Sequence, residues 1–147
     1  ERLVQNGIPV MAHLGLSPQK VNETGDLTRR ATEAEEAESI LELAKAHEDA
    51  GAFALLLEHI PANVAKHVTD SLDIPTIGIG AGPHVSGQGL IITDVIGMSD
   101  WAPPFAKQYA DVKSEMESGI ETYLDEVESG TFPSEDHYVE AEIEGWE

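Results

Sequence analysis

Four short apolar runs alternate along the chain with longer stretches in which apolar residues recur at helical spacing. The runs have the length of strands and cover Ile8–Ala12, Ala52–Leu57, Ile74–Ile79 and Leu90–Thr93. The longer stretches predict helices, which cover Thr32–Ala50, a segment that begins at Pro61, and a segment from about Pro104 to Val127. Glycines at 51 and 130 follow the last apolar positions of the two long helices, as helix-ending residues do.

This alternation indicates an α/β fold. Strands that are apolar throughout, joined by amphipathic helices, are typical of a parallel sheet covered on both faces. Four such units are half of an eight-stranded (βα) barrel, so the chain forms either a short open sheet or one half of a barrel. We expect residues 1–137 to form this domain and the acidic residues 138–147 to form a loose tail. Because the chain does not begin with Met, we expect it to be part of something longer.

The composition excludes several classes of partner and of binding site. The 147 residues include 28 acidic and 8 basic side chains, for a net charge of -20. Nucleic acid is therefore an improbable partner, since phosphate contacts need clustered Lys and Arg. Cysteine is absent, which excludes disulfides and thiolate metal sites. No membrane-spanning run or secretion signal is evident, and we expect a cytoplasmic protein.

Four residues at or just past the predicted strand ends could carry chemistry, because ligands of parallel α/β folds bind at the carboxyl ends of the strands. They are His13, Glu58, Gly80 and Asp94. Glu58 ends an apolar strand, and a partly buried carboxylate there would suit a general base. The alternatives are a helix cap or a surface acid for Glu58, and a hydrogen-bonded structural residue for His13. Since neighbouring strands bear them, the two side chains are expected to share a cavity.

The remaining candidates are weaker. Residues Gly78–Gly82 lack the spacing of a dinucleotide-binding loop, so they indicate either a close approach of the backbone to a substrate or a tight turn. Asp94 could bind a ligand or cap a turn. His59, His84 and His137 are not spaced as a zinc site, and we expect His47 and His67 to be surface residues of the predicted helices.

Five motifs stand along the chain in this order: Pro9–Gln19, Leu56–Pro61, Ile74–Gly82, Pro104–Lys107 and Glu126–Pro133. Together they resemble the 3-methyl-2-oxobutanoate hydroxymethyltransferase family. The resemblance runs from about Gly7 to His137 and is greatest to versions from salt-loving archaea, in agreement with the acidity. It implies a (βα)8 TIM barrel of the phosphoenolpyruvate/pyruvate group, of which this chain would supply the last four βα units.

The resemblance also implies an activity. The family transfers a hydroxymethyl group from methylenetetrahydrofolate to 3-methyl-2-oxobutanoate in pantothenate synthesis, with Mg²⁺ holding the 2-oxo acid and stabilising its enolate. Glu58 matches the carboxylate that moves the proton, and His13 matches the substrate-pocket histidine. A homo-oligomer, a decamer in the family, is implied as well.

Departures from the family pattern keep alternatives open. The family's metal ligands lie in the half that has no counterpart here, so we assign no metal ligand and expect the isolated chain to be inactive. The loops at residues 25–30 and 83–93 also differ from the family pattern. The alternatives are another 2-oxo-acid lyase of the same barrel group, or a non-catalytic half-barrel that serves as an assembly module.

The acidity makes a prediction about salt. The Debye length falls from about 10 Å in about 0.1 M salt to about 3 Å in about 1 M salt, and this screening weakens the repulsion between surface carboxylates. We therefore expect the melting temperature to rise between about 0.1 M and about 2 M KCl, measured by circular dichroism. Equal stability at the two concentrations would contradict adaptation to a salt-loaded cytoplasm.

Overall fold

A computed structural model describes residues 1–17 and 29–145. The strands are Met11–Gly15 (β1), Ala54–Glu58 (β2), Thr76–Ile79 (β3) and Gly87–Gln88 (β4). The helices are Arg2–Gln5 (α1), Ala34–Asp49 (α2), Ala62–Asp70 (α3), Ile92–Val95 (α4) and Val112–Ser129 (α5), with a 3₁₀ turn at Glu135–His137. Pro18 and Gln19 of the first motif, and positions 25–28 of the divergent loop, lie outside the described residues.

The four strands form one parallel sheet in the order β1-β2-β3-β4. Each strand therefore pairs with the next one along the chain, and the helical connections α2 and α3 carry the chain across one face of the sheet. The predicted α/β class with a parallel sheet is confirmed.

The core lies between the sheet and helices α2 and α3. The alternate residues Leu55 and Leu57 of β2 are fully buried, as are Ala44 of α2 and Val68 of α3. Helix α2 begins and ends within two residues of the predicted bounds, and Gly51 after it takes a left-handed φ of 91°. This face of the sheet is closed by apolar packing, which leaves the opposite face to carry the polar side chains.

One predicted strand is wrong, and one predicted helix begins at a different residue. Residues Leu90–Thr93 are not a strand: the fourth strand is the shorter Gly87–Gln88, and the chain turns into helix α4 at Ile92. Two reciprocal hydrogen bonds hold the residue before β4 against β3. Thr76 N–H donates to the Ser86 hydroxyl, and Ser86 N–H donates to the Thr76 hydroxyl. Strand position follows from these contacts rather than from the apolar run.

The last helix begins eight residues later than predicted, at Val112 rather than Pro104. Asp111 caps it, because its carboxylate accepts a hydrogen bond from Ser114 N–H, and Gly130 ends it with a φ of 73°. The periodic stretch was therefore a true helix whose start the apolar pattern placed too early.

The chain divides into two compact units. One consists of Glu1–Ile91 with Pro103–Lys107, and it holds the whole sheet; the other consists of Ile92–Ala102 with Gln108–Glu147, and it holds α4 and α5. Among the helices of residues 1–17 and 29–145, none combines the length and the apolar character needed to cross a bilayer.

Gly15, at the end of β1, is the position where the sheet admits no side chain. Its φ is 97°, and a Cβ there would lie well inside contact distance of the Glu58 carbonyl oxygen. The same carbonyl accepts a hydrogen bond of 2.9 Å from Leu16 N–H. Glycine at this position therefore lets the end of β1 lie against the end of β2.

Gly15→Ala should lower the free energy of unfolding by about 3 kcal/mol or more, because it adds a clash to the strain of a left-handed backbone. Gly7→Ala is the matched control: Gly7 has a φ of 78° but open space around its α-carbon. That variant should lose only about 1–2 kcal/mol. Urea unfolding followed by circular dichroism measures both, and equal losses would show that the contact with Glu58 is not limiting.

Candidate active site

The second face of the sheet carries His13 and Glu58. In the parallel register His13 lies beside Leu56 and Gly15 lies beside Glu58, so His13 and Glu58 project from the same face, two positions apart. Ile79 of β3 lies beside Glu58 on its other side. The carboxylate therefore stands on an apolar surface near the carboxyl end of the sheet.

The two side chains touch. Nε2 of His13 lies 3.1 Å from Oε2 of Glu58, and 27% of the imidazole and 14% of the carboxylate side chain are exposed. The contact has the distance of a hydrogen bond but not its alignment, since no hydrogen-bond partner of good geometry reaches the buried Nε2 among the described residues. The pair therefore offers a proton acceptor beside a ring that can donate.

Burial raises the pKa of Glu58 above its usual 4.5, and the attraction of the carboxylate to His13 opposes this rise without cancelling it. A carboxyl group whose pKa lies closer to neutrality is a stronger base when ionised. Glu58 is thus suited to accept a proton from a weakly acidic carbon.

The structure corrects the position of His13. The apolar pattern placed it past the end of the first strand, whereas it is the middle residue of β1, which runs three residues further than predicted. Glu58 is likewise the last residue of β2 rather than the first residue after it. The two side chains are nevertheless in contact with each other, because their strands are parallel and adjacent.

The chain turns sharply after Glu58. His59 has a left-handed φ of 51°, its N–H donates to the Ile79 carbonyl at 2.8 Å, and its own carbonyl accepts from Arg30 N–H at 3.2 Å. Arg30 is followed by Ala31, whose N–H donates to the Glu36 carboxylate at 2.6 Å. The backbone around the candidate base is thus bound to β3 and to the segment before α2.

The glycines of the Gly78–Gly82 motif approach the protein itself. A Cβ on Gly80 would lie 2.5 Å from the Phe105 ring, and a Cβ on Gly82 would overlap Ala62 at the start of α3. Both residues have left-handed φ values, as in a tight turn. The close approach considered for a substrate is made instead by these two side chains.

Sequence reasoning missed two residues near the site, His59 and Phe105. Their rings lie 4.8 Å apart between centroids, with an interplanar angle of 41°. The sequence pattern relates His59 only to a zinc site, whose spacing it lacks, and predicts a helix at Phe105. The Pro103–Pro104 pair before Phe105 was the available signal, because two prolines disfavour a helix that continues through them.

Asp94 does not follow a strand. It lies buried in the short helix α4, in the second compact unit. Within the described ranges, no group of three or more His, Asp or Glu side chains is placed to hold a metal ion. The Mg²⁺ expected from the resemblance therefore finds no ligand set in the described part of this chain.

A cavity of about 450 Å³ opens beside β1, a size typical of small-molecule sites. Its lining residues are His13, Leu14, Gly15, Ser17, Arg30, Ile40, Leu43 and His47. This lining contains basic and neutral side chains and no carboxylate. In a chain with a net charge of -20, it is a local surface on which a small anion could rest.

The raised pKa of Glu58 predicts a pH-dependent stability. The folded state holds the proton to a higher pH than the unfolded chain does, so this contribution to stability is full below 4.5 and is lost as the pH rises through the raised pKa. Glu58→Gln removes the loss. The melting temperature of Glu58→Gln minus that of the wild type should therefore increase from about pH 4 to about pH 8. The exposed Glu35→Gln is the control, and a constant difference for both variants would contradict a buried carboxylate at position 58.

Comparison with known proteins identifies the group to which this sheet belongs. The family model described as ketopantoate hydroxymethyltransferase matches residues 1–135. The 3-methyl-2-oxobutanoate hydroxymethyltransferase of Haloarcula marismortui is 61% identical over 137 residues, and that of Halobacterium salinarum is 59% identical over the same length. The enzyme of the same name from Pyrobaculum aerophilum is 48% identical over 140 residues.

The matches cover 93% of this chain for the first two relatives and 95% for the third, but only 50–53% of the relatives themselves. The chain therefore spans about half the length of the curated relatives it matches. Since the family model covers nearly all of the sequence and the identities are high, the chain belongs to the ketopantoate hydroxymethyltransferase family.

Proposed function

We propose that the protein carrying this chain transfers a hydroxymethyl group to 3-methyl-2-oxobutanoate, with methylenetetrahydrofolate as donor, and that Glu58 is the base. The single observation that supports the role of Glu58 is its contact with His13, in which a half-buried carboxylate of raised pKa stands at the carboxyl end of a parallel sheet. The names of the relatives support the substrate.

The chemistry needs a proton to leave the carbon next to the 2-oxo group. Glu58 accepts that proton, and the electron pair left behind moves toward the 2-oxo oxygen as an enolate forms. The same carbon then bonds to the one-carbon unit of the donor, whose two carbon–nitrogen bonds to the folate break. Water supplies the hydroxyl oxygen of the product, and tetrahydrofolate leaves with one proton from that water and one from the substrate carbon by way of Glu58. The carboxyl group so formed on Glu58 returns its proton at a later step, which its raised pKa favours.

His13 is proposed to bind the substrate. Its imidazole contacts Glu58 and also lines the cavity beside β1, so a 2-oxo acid in that cavity would contact the same ring that touches the proposed base. A positive charge on the ring, or a hydrogen bond donated by one of its N–H groups, would attract the carboxylate of the 2-oxo acid. The metal expected in the family is given no part in these steps, because the described residues provide no ligands for it.

We also propose that residues 1–137 are the C-terminal half of a (βα)8 barrel. Four consecutive parallel strands, each paired with the next in the chain, are the arrangement that any four neighbouring units of such a barrel have. Both outer strands would then pair with strands that the described residues do not include. Assembly into a homo-oligomer remains a prediction.

Proton removal can be measured separately from group transfer. In the protein that carries this chain, exchange of the C3 hydrogen of 3-methyl-2-oxobutanoate with D₂O, followed by NMR, should slow roughly 10²–10⁴-fold in Glu58→Gln. Glu58→Asp, which keeps the carboxylate but shortens the side chain, should retain part of the rate.

The control is Glu35→Gln, which removes an exposed carboxylate in the first turn of α2 and should exchange at the wild-type rate. Unchanged exchange in Glu58→Gln would exclude Glu58 as the base. Exchange without any folate-dependent product would instead favour the lyase of the same barrel group.

A further inference from the structure

The residue after the proposed base has an unusual backbone. His59 adopts a φ of 51°, a region that residues other than glycine seldom enter, although His, Asn and Asp do so more often than others. Its N–H donates to Ile79 of β3 and its carbonyl accepts from Arg30. Because these bonds hold the peptides on both sides of His59, the first of which follows Glu58, they limit the directions in which the Glu58 side chain can point.

The imidazole of His59 is enclosed rather than solvated. Only 8% of the residue is exposed, and its Nδ1 is buried without a hydrogen-bond partner among the described residues. The ring packs against Phe105, which belongs to the same compact unit although it lies 46 positions further along the chain. A buried nitrogen without a partner is unfavourable, so the ring is retained there for another reason.

Phe105 is itself held in place. Its ring lies over Gly80, where a Cβ would come within 2.5 Å of the ring. Gly80 follows the last residue of β3, and Ile79 of that strand accepts the His59 hydrogen bond. The contacts from Gly80 to Phe105 and from Phe105 to His59 therefore connect the end of β3 to the turn after Glu58.

The surroundings of the His59 ring favour its neutral form. Burial lowers the pKa of His59, and the positive charge of Arg29 lowers it further. The effect proposed for this ring on Glu58 is therefore one of geometry. Its role differs from that of His13, whose ring contacts the carboxylate directly.

We propose that His59, packed against Phe105, is a positioning residue that fixes the peptide after Glu58 and so directs the carboxylate toward His13. This role rests on the function proposed above for Glu58. Strained backbone kept beside a reactive group is a recurrent feature of functional sites, and here the strained residue adjoins the base itself.

Three variants test the proposal in the protein that carries this chain. His59→Gly keeps the left-handed turn and removes the ring, Phe105→Leu removes the aromatic contact, and Phe105→Tyr keeps it. For the first two, kcat for C3 hydrogen exchange should fall about tenfold to hundredfold, while KM changes little, because the base is misdirected rather than lost. Phe105→Tyr should behave as the wild type.

A second readout does not depend on catalysis. In the wild type, NMR titration of the His13 ring should show a step where Glu58 ionises, since the two groups are in contact. The charged group that acts on Glu58 is His13, whereas Arg29 acts on His59. The step should weaken in His59→Gly and in Phe105→Leu. The control is His84→Asn, which removes an exposed histidine of the same unit and should leave the step unchanged.

The outcomes separate the two proposals. If the wild type shows the His13 step but no exchange of the C3 hydrogen, the proposed function fails while the positioning role can still be judged from the step. If exchange occurs and His59→Gly keeps both the wild-type kcat and the His13 step, the positioning role is wrong. A lower melting temperature with unchanged kcat per folded molecule would show that the ring only stabilises the fold.

Discussion

The parallel pairing of β1 with β2 is the constraint on which the candidate site depends. Its register sets Gly15 against Glu58 and Leu56 against His13, and it thereby places the imidazole and the carboxylate on one face. A shift by one residue would turn one of the two side chains into the apolar core. The absence of a side chain at Gly15 allows the strands to approach at this point, so a residue without chemistry of its own determines where the chemistry lies.

The same pairing sets the electrostatics. The apolar face beside Glu58 removes water from the carboxylate and raises its pKa, while His13 provides one attraction that favours the ionised form. The protein carries many more negative than positive charges. Molar salt screens interactions between exposed charges that lie more than about 3 Å apart, but it has little effect on a contact shielded from solvent. A chain with a net charge of -20 can thus keep a defined proton affinity at one carboxylate in high salt.

The sequence predicted the existence of the first three strands, the helices between them and the proximity of His13 to Glu58, although β1 lies three residues further along the chain than its apolar run. These features follow from local patterns: apolar runs of strand length, and polar residues where the runs end. The fourth strand was misplaced because Ile91 and Ile92 form an apolar run yet are 56% and 66% exposed, whereas Gly87 and Gln88 pair with β3. Such short pairing depends on tertiary contacts that no local pattern contains.

Helix α5 also shows that a local sequence pattern does not contain the tertiary contacts of an element. Its apolar residues recur at helical spacing and correctly predict a helix, but none of its residues, all of which are described, is buried. Periodicity reports which face of a helix is apolar and not what covers that face. The pattern also could not reveal where the helix starts, because Phe105 fits the spacing but belongs to the first compact unit.

The two histidines near Glu58 illustrate why a residue type does not determine a role. His13 lies in a strand with its ring against the carboxylate, so its attraction acts on the base. His59 lies in a left-handed turn with its ring against Phe105, and burial together with Arg29 lowers its pKa. One histidine thus affects how strongly the carboxylate holds a proton, while the other affects where the carboxylate points. A correctly directed carboxylate with too low a proton affinity removes no proton from the substrate, and neither does a carboxylate of suitable affinity that points away from it. The rate effects of the two histidines on the proposed reaction should therefore multiply rather than add.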